Sequence, residues 1–188
     1  GGRDEAGYVR GLKKKGMTIA SSGSELLDNS SDAGANNFRP TIAYEDVYFG
    51  DNGAGMDQNN LKNAFIMEHE NNRDRYTKGV AGIGLKVALA FLSDWKYPCV
   101  ILTKKSKGKY LKVEIPWDRI FEELKWDKMI SPATEMTSAE ILEFEKYLPS
   151  ENKEHGTVIK IKKTFKVCEH IRNQFNDERK KLSKIDRW

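Results

Sequence analysis

The sequence predicts an α+β domain, a two-layer sandwich in which helices cover one face of a mixed β-sheet. Three observations carry this. Segments of helical and of strand period alternate along the chain without a strict βαβ rhythm. The 188 residues suffice for one domain with a real core. Apolar residues at 38% against 32% charged residues exclude a disordered chain.

Each element has its own signal. Arg3 to Lys15 is a polar lead-in with helical potential. Met17 to Ala35 reads as a helix. Phe38 to Phe49 reads as two short strands, or one strand broken by a turn at Tyr44-Glu45-Asp46. Met56 to Met67 is expected to be helical, with Asp57 as N-cap and Leu61, Ala64 and Phe65 on one face. Glu68 to Thr77 has almost no apolar residue and reads as a mobile loop. Gly84 to Leu92 follows as a helix. Val100 to Thr103 and Tyr110 to Ile115 are strands joined at Ser106-Lys107-Gly108. Pro116 opens a helix through Ile120, Phe121 and Leu124, because proline suits a first helical turn. Thr137-Ser138-Ala139-Glu140 is a capping box for a helix that ends at Leu148-Pro149. Thr157 to Ile161 is a strand. Val167 to Ile185 is a last helix with a stripe of Ile171, Phe175, Leu182 and Ile185.

The net charge of +4 suits a nucleotide or a nucleic acid but requires neither. The lysines stand in small groups, which reads first as a solvated surface. No RNA-binding signature or zinc-finger spacing supports a nucleic-acid module. Cys99, inside an apolar run, reads as a buried thiol. With Cys168 as the second cysteine, no disulfide framework is expected, which points to a reducing, intracellular compartment. No apolar stretch is long enough for a membrane span. The opening Gly-Gly reads as a cloning remnant, so the chain is expected to be a piece of a longer protein.

Three segments carry the chemistry. In the first, Glu25, Asn29 and Asp32 are spaced i, i+4, i+7 and share one helical face. An amide oxygen from Asn29 suits Mg²⁺, which takes few protein oxygens and leaves the rest to water and phosphate. Glu25, one turn away, can deprotonate a water for attack on a γ-phosphate. An ordinary solvated face explains the same pattern. A calcium loop does not, because Ala33 stands where glycine is needed and Arg39 where a bidentate glutamate is needed.

The second segment is Asp51-Asn52-Gly53-Ala54-Gly55-Met56. Gly53 and Gly55 let the backbone approach a flat ligand. Asp51 is an acceptor suited to the exocyclic amine of adenine. Met56 supplies an adaptable apolar wall. A plain Asp-Asn-Gly turn is the competing reading.

The third is the run Gly79, Val80, Ala81, Gly82, Ile83, Gly84, Leu85, Lys86. It opens a helix, whose N–H groups attract anions, and Lys86 adds a point charge. It has neither the Walker A nor the Rossmann spacing. Close helix packing explains Gly82 and Ala88 but not the whole run.

Taken in this order, with Gly156-Thr157-Val158 near the end, the segments resemble the ATP-binding fold shared by gyrase B subunits, the ninety-kilodalton heat-shock chaperone, histidine kinases and MutL, often called GHKL. The resemblance implies ATP and Mg²⁺ as ligands. It makes Glu25 the general base, Asn29 the magnesium ligand and Asp32 a supporting acid. It makes Asp51 the adenine-reading acid, with Thr157 beneath the base, and adds Ala33 to the nucleotide-contacting set. Glu68 to Lys78 then reads as an ATP lid.

The Glu25-x-x-x-Asn29 form resembles the hydrolysing branch, including MORC-type proteins, more than the histidine kinases. The implied layout is a lead-in over 1–16, the ATP-binding domain over 17–165, and a helix over 166–188 connecting to a further domain. The implied function is slow, Mg-dependent ATP hydrolysis by a module of a larger conformational machine, with an ATP-dependent homodimer formed through regions outside this sequence. A non-hydrolysing ATP sensor and a histidine-kinase-like catalytic domain are the alternatives. The expected compartment is cytoplasmic or nuclear.

Overall fold

A computed structural model describes residues 5–65, 81–126, 130, 132–151 and 153–185. The first helix, α1 (Glu5–Lys13), buries Val9 and Leu12 in the main core, so the polar lead-in packs as part of the domain. Helix α2 (Ile19–Asp32) starts at Ile19 because Thr18 takes extended backbone as its cap. Thr18 Oγ1 accepts from the Ser21 N–H at 3.1 Å, and Ser21 Oγ accepts from the Thr18 N–H at 2.8 Å.

Strands β1 (Phe38–Ile42) and β2 (Asp46–Asp51) form a hairpin, the two-strand reading of that stretch. Pro40 is tolerated because β1 is an edge strand. Helix α3 (Gln58–Phe65) is capped by Asp57, whose Oδ1 accepts from the Asn60 N–H at 2.8 Å. Leu61 and Phe65 are buried along it.

Helix α4 (Ala81–Leu92) begins three residues earlier than expected. Strands β3 (Cys99–Lys104) and β4 (Leu111–Ile115) follow. Cys99 is fully buried, and desolvation pushes its thiol pKa up to about 12, as an inert core thiol requires. Helix α5 (Trp117–Glu123) has Pro116 at its N-cap position, just outside the first turn.

A two-residue strand, β5 (Thr134–Glu135), pairs with β4 and was not foreseen. Helix α6 (Ser138–Tyr147) carries the expected capping box between Thr137 and Glu140. Strand β6 (Gly156–Lys162) and helix α7 (Phe165–Ile185) complete the described elements. Among the described residues no helix is long and apolar enough to cross a membrane.

The six strands lie in the order β1-β2-β6-β3-β4-β5. Among the described residues every pairing is antiparallel, which corrects the expected mixed sheet. The reason is the insertion of β6. Strands β2 and β3 both run antiparallel to β6, so they run parallel to each other but are never neighbours.

The two-layer α+β arrangement holds, with one addition. The strand period of two sends Val47, Phe49, Ile101, Val113, Ile159 and Ile161 into a core shared with the other helices. It sends Tyr48, Leu102 and Val158 to the opposite face, where Phe144 and Leu148 of the α6 region cover them. Helix α6 is held there by polar contacts to the sheet. The Tyr48 hydroxyl donates to Glu143 at 2.6 Å, and Lys112 pairs with Glu140 at 2.8 Å. The expected single helical layer thus becomes a main layer and a small second one.

Candidate functional site

Three strand ends converge at one edge of the helix-covered face. The register sets Asp51 of β2 beside Thr157 of β6, and Thr157 beside Thr103 of β3. All three side chains are polar and buried. The Asp51 carboxylate, 4% exposed, accepts from Ser30 Oγ at 2.9 Å and from the Gly53 N–H at 2.9 Å. The Thr157 backbone also hydrogen-bonds to it. Burial raises the Asp51 pKa above the ordinary carboxylate value, and the three hydrogen bonds oppose that rise. A buried acceptor with its donors in place is a suitable reader for an amine.

The loop after Asp51 is shaped by backbone contacts. Asn52 Oδ1 accepts from the N–H groups of Asn36 and Asn37 at 3.0 and 2.9 Å, tying the loop to the segment after α2. The Ala54 N–H donates to the Ala33 carbonyl at 2.8 Å, which places Ala33 against the loop. Gly55 has φ +73°, and a β carbon there would strike the Lys104 carbonyl, so only glycine fits without strain. Met56 is half-buried against the main core, and its N–H donates to Thr103 Oγ1 at 2.9 Å.

On α2, Leu26 and Ser30 are buried, while Glu25 and Asn29 are half-buried and Asp32 is exposed in the last turn. The Glu25 carboxylate rests on the α carbon of Gly84, where any β carbon would collide with it. The first and third sequence segments are therefore in contact. Ile83 is half-buried and Leu85 is buried in the core.

Lys86 lies elsewhere. Two positions after Gly84, it is about 200° round the helix. Its side chain is 2% exposed, with Nζ 3.5 Å from the Tyr8 hydroxyl and 5.2 Å from the Trp126 ring centroid. It faces α1, whereas Gly84 faces α2. Gly79, Val80 and the expected lid, Glu68 to Lys78, fall outside the described residues. Ala81 and Gly82 form the start of α4.

Several residues here escaped the sequence reading. Ser30 is one; its position one helical turn after buried Leu26 was the available signal. Thr103 is another, since a threonine in a strand reads only as β propensity. His155 is a third. Its Nδ1 meets the Gly53 carbonyl at 2.5 Å across 102 residues, which no local pattern reveals. A shallow cleft of about 460 Å³ opens beside it, lined by Ala33, Gly34, Asn52, Gly53, Ala54, Lys105, Ser106 and His155.

The donor set fits a magnesium ion held chiefly by phosphate. Among the described residues no group of three His, Cys, Asp or Glu side chains could hold a metal by itself. Asn29 offers one half-buried amide a turn from Glu25, the sparse protein share that Mg²⁺ takes beside phosphates.

Residues 17–157 match the family of histidine kinase-, DNA gyrase B- and HSP90-like ATPases. That span is most of the chain, and the protein belongs to this family of ATP-binding domains. Among solved structures, the crystal structure of the N-terminal domain of a DNA repair protein is similar, with a TM-score of 0.46 and 20% identity. The similarity covers 85% of this chain and 40% of that one, so this chain spans well under half of that structure. No curated protein sequence matches.

Proposed function

We propose that this domain binds ATP with Mg²⁺ and hydrolyses it slowly, as the ATPase module of a larger conformational machine. The observation that carries the reading is the buried Asp51 carboxylate, satisfied by Ser30, Gly53 and Thr157 at the end of the sheet. Its acceptor role suits the adenine amine, and Met56 supplies an apolar wall beside it. Gly53 and Gly55 allow close approach. The run Gly79 to Leu85, whose described part Ala81 to Leu85 opens α4, would carry the phosphates through backbone N–H groups.

Asn29 would hold the metal, with Asp32 as a supporting acid. The ion would neutralise phosphate charge. Glu25 would take a proton from the attacking water, because its carboxylate faces the glycine-rich start of α4. The closeness of the Glu25 carboxylate to Gly84 favours hydrolysis over mere sensing. His155 is bonded to Gly53 and His170 is buried, an arrangement that disfavours either as a phospho-acceptor. An intracellular setting and an ATP-dependent homodimer through regions beyond these residues belong to the same proposal.

Calorimetric titration with ATP, with and without Mg²⁺, tests it. Micromolar binding that strengthens with Mg²⁺ is expected. No binding in either condition removes the proposal. Turnover that is slow in this chain and abolished by Glu25→Gln separates the ATPase from a sensor.

A further inference from the structure

Thr103 is fully buried and stands at a three-way junction of hydrogen bonds. Its Oγ1 lies 2.9 Å from the Met56 nitrogen, 3.1 Å from the Gly156 carbonyl oxygen and 2.9 Å from Thr157 Oγ1. A hydroxyl has one proton and two lone pairs. The Met56 N–H can only donate, so it takes one lone pair. The Gly156 carbonyl can only accept, so it takes the proton. The one capacity left on Thr103 is a lone pair, and it faces Thr157.

That count fixes the neighbour. When all three bonds of Thr103 are made, the Thr157 hydroxyl must be the donor between the two threonines. Its proton is spent, and to any further partner it presents lone pairs only. Asp51, its cross-strand neighbour, is also an acceptor once ionised. The end of the sheet then carries two acceptors side by side, with Ser30 already donating to Asp51.

We propose that Thr103 is a positioning residue for nucleotide specificity: by holding the Thr157 proton it makes the base-reading edge acceptor-only. The idea rests on the proposed seating of a purine against Asp51 and Thr157. Such an edge complements an exocyclic amine, which brings two N–H groups. Where each acceptor takes one N–H of the amine, a carbonyl at the same ring position would place an oxygen against two oxygens. The chemistry selects 6-amino purines over 6-oxo purines, and Thr103 exerts the selection without touching the base. The same hydroxyl holds the Met56 N–H, so the apolar wall and the polar edge are set by one side chain.

Removing the Thr103 hydroxyl frees the Thr157 proton. Thr157 can then rotate and donate to a 6-oxo group. The test compares binding of ATP and inosine triphosphate by calorimetry. Thr103→Val is expected to reduce the ATP-over-inosine preference about tenfold, the equivalent of one neutral hydrogen bond gained or lost. Thr103→Ser keeps the hydroxyl and should keep the preference. In a Thr157→Val background the Thr103→Val change should leave the preference unmoved, which a purely structural role for Thr103 would not produce. Thr103→Ala, run in parallel with thermal unfolding, gives the same reading if valine does not fit. A parent that binds ATP, with a preference unchanged by both Thr103→Val and Thr103→Ala, overturns this inference alone. A parent that binds neither nucleotide overturns the seating of the purine as well.

Discussion

The carboxylate of Glu25 on α2 rests on the α carbon of Gly84 on α4. A β carbon at position 84 would occupy the space of that carboxylate. The carboxylate is the free end of a flexible side chain, so it would swing aside without unfolding the helix pair. Gly84→Ala is therefore expected to leave ATP binding nearly intact and to lower single-turnover hydrolysis. The loss should approach that of Glu25→Gln, about 10²–10⁴ if general-base help is withdrawn. A Gly84→Ala protein that hydrolyses at the parent rate would show that the contact does not position a base.

Asp51 sets two opposite pH trends. Its folded pKa is raised above the unfolded value by burial. Its contribution to apo stability is thus present at low pH and lost as pH rises through the folded value. ATP, in contrast, needs the ionised acceptor. Affinity should fall as pH drops through that raised value. The thermal shift produced by ATP should accordingly shrink on acidification from neutral pH. Asp51→Asn presents a donor on one side and should cost about 1–3 kcal/mol of binding at neutral pH. Equal ATP affinity in parent and Asp51→Asn would remove Asp51 from the base site.

Asn29 separates metal from nucleotide. It is half-buried, one turn beyond Glu25 on α2. Asn29→Ala should weaken the Mg-dependent increment of ATP affinity and spare binding in EDTA. If both conditions lose affinity equally, the residue shapes the helix and does not serve the ion.

His170 governs stability on the acid side of neutrality. Its ring packs on Gly23 of α2, with the Phe49 ring centroid 6.0 Å away. Its Nε2 is buried without a partner among the described residues. Burial lowers its pKa below the ordinary value. Its stabilising contribution is present above the unfolded pKa and is lost as pH falls through the folded one, because the unfolded chain binds the proton first. Unfolding measured from pH 7.5 to 5 should show stability falling. His170→Phe should flatten that slope, and an undiminished slope would assign it to other groups.

The sequence by itself determined the elements that local chemistry dictates. Thr137 and Glu140 announce a capping box because the box needs only four consecutive residues. Asp57 announces a cap for the same reason, and the apolar run of β3 announces a strand. The family was legible because its glycines and acids stand in fixed chain order, and one of them, Gly55, answers a local backbone need, its positive φ. The tertiary structure alone decided what depends on distant chain segments. The strand order inserted β6 between β2 and β3, made the sheet antiparallel and set Asp51, Thr157 and Thr103 in one row. Helix phase turned Lys86 toward Tyr8 and Trp126 and left Gly84 under Glu25. These outcomes rest on contacts between residues tens of positions apart. Such contacts form only when burial of the apolar faces brings the elements together, and no window of sequence encodes that meeting.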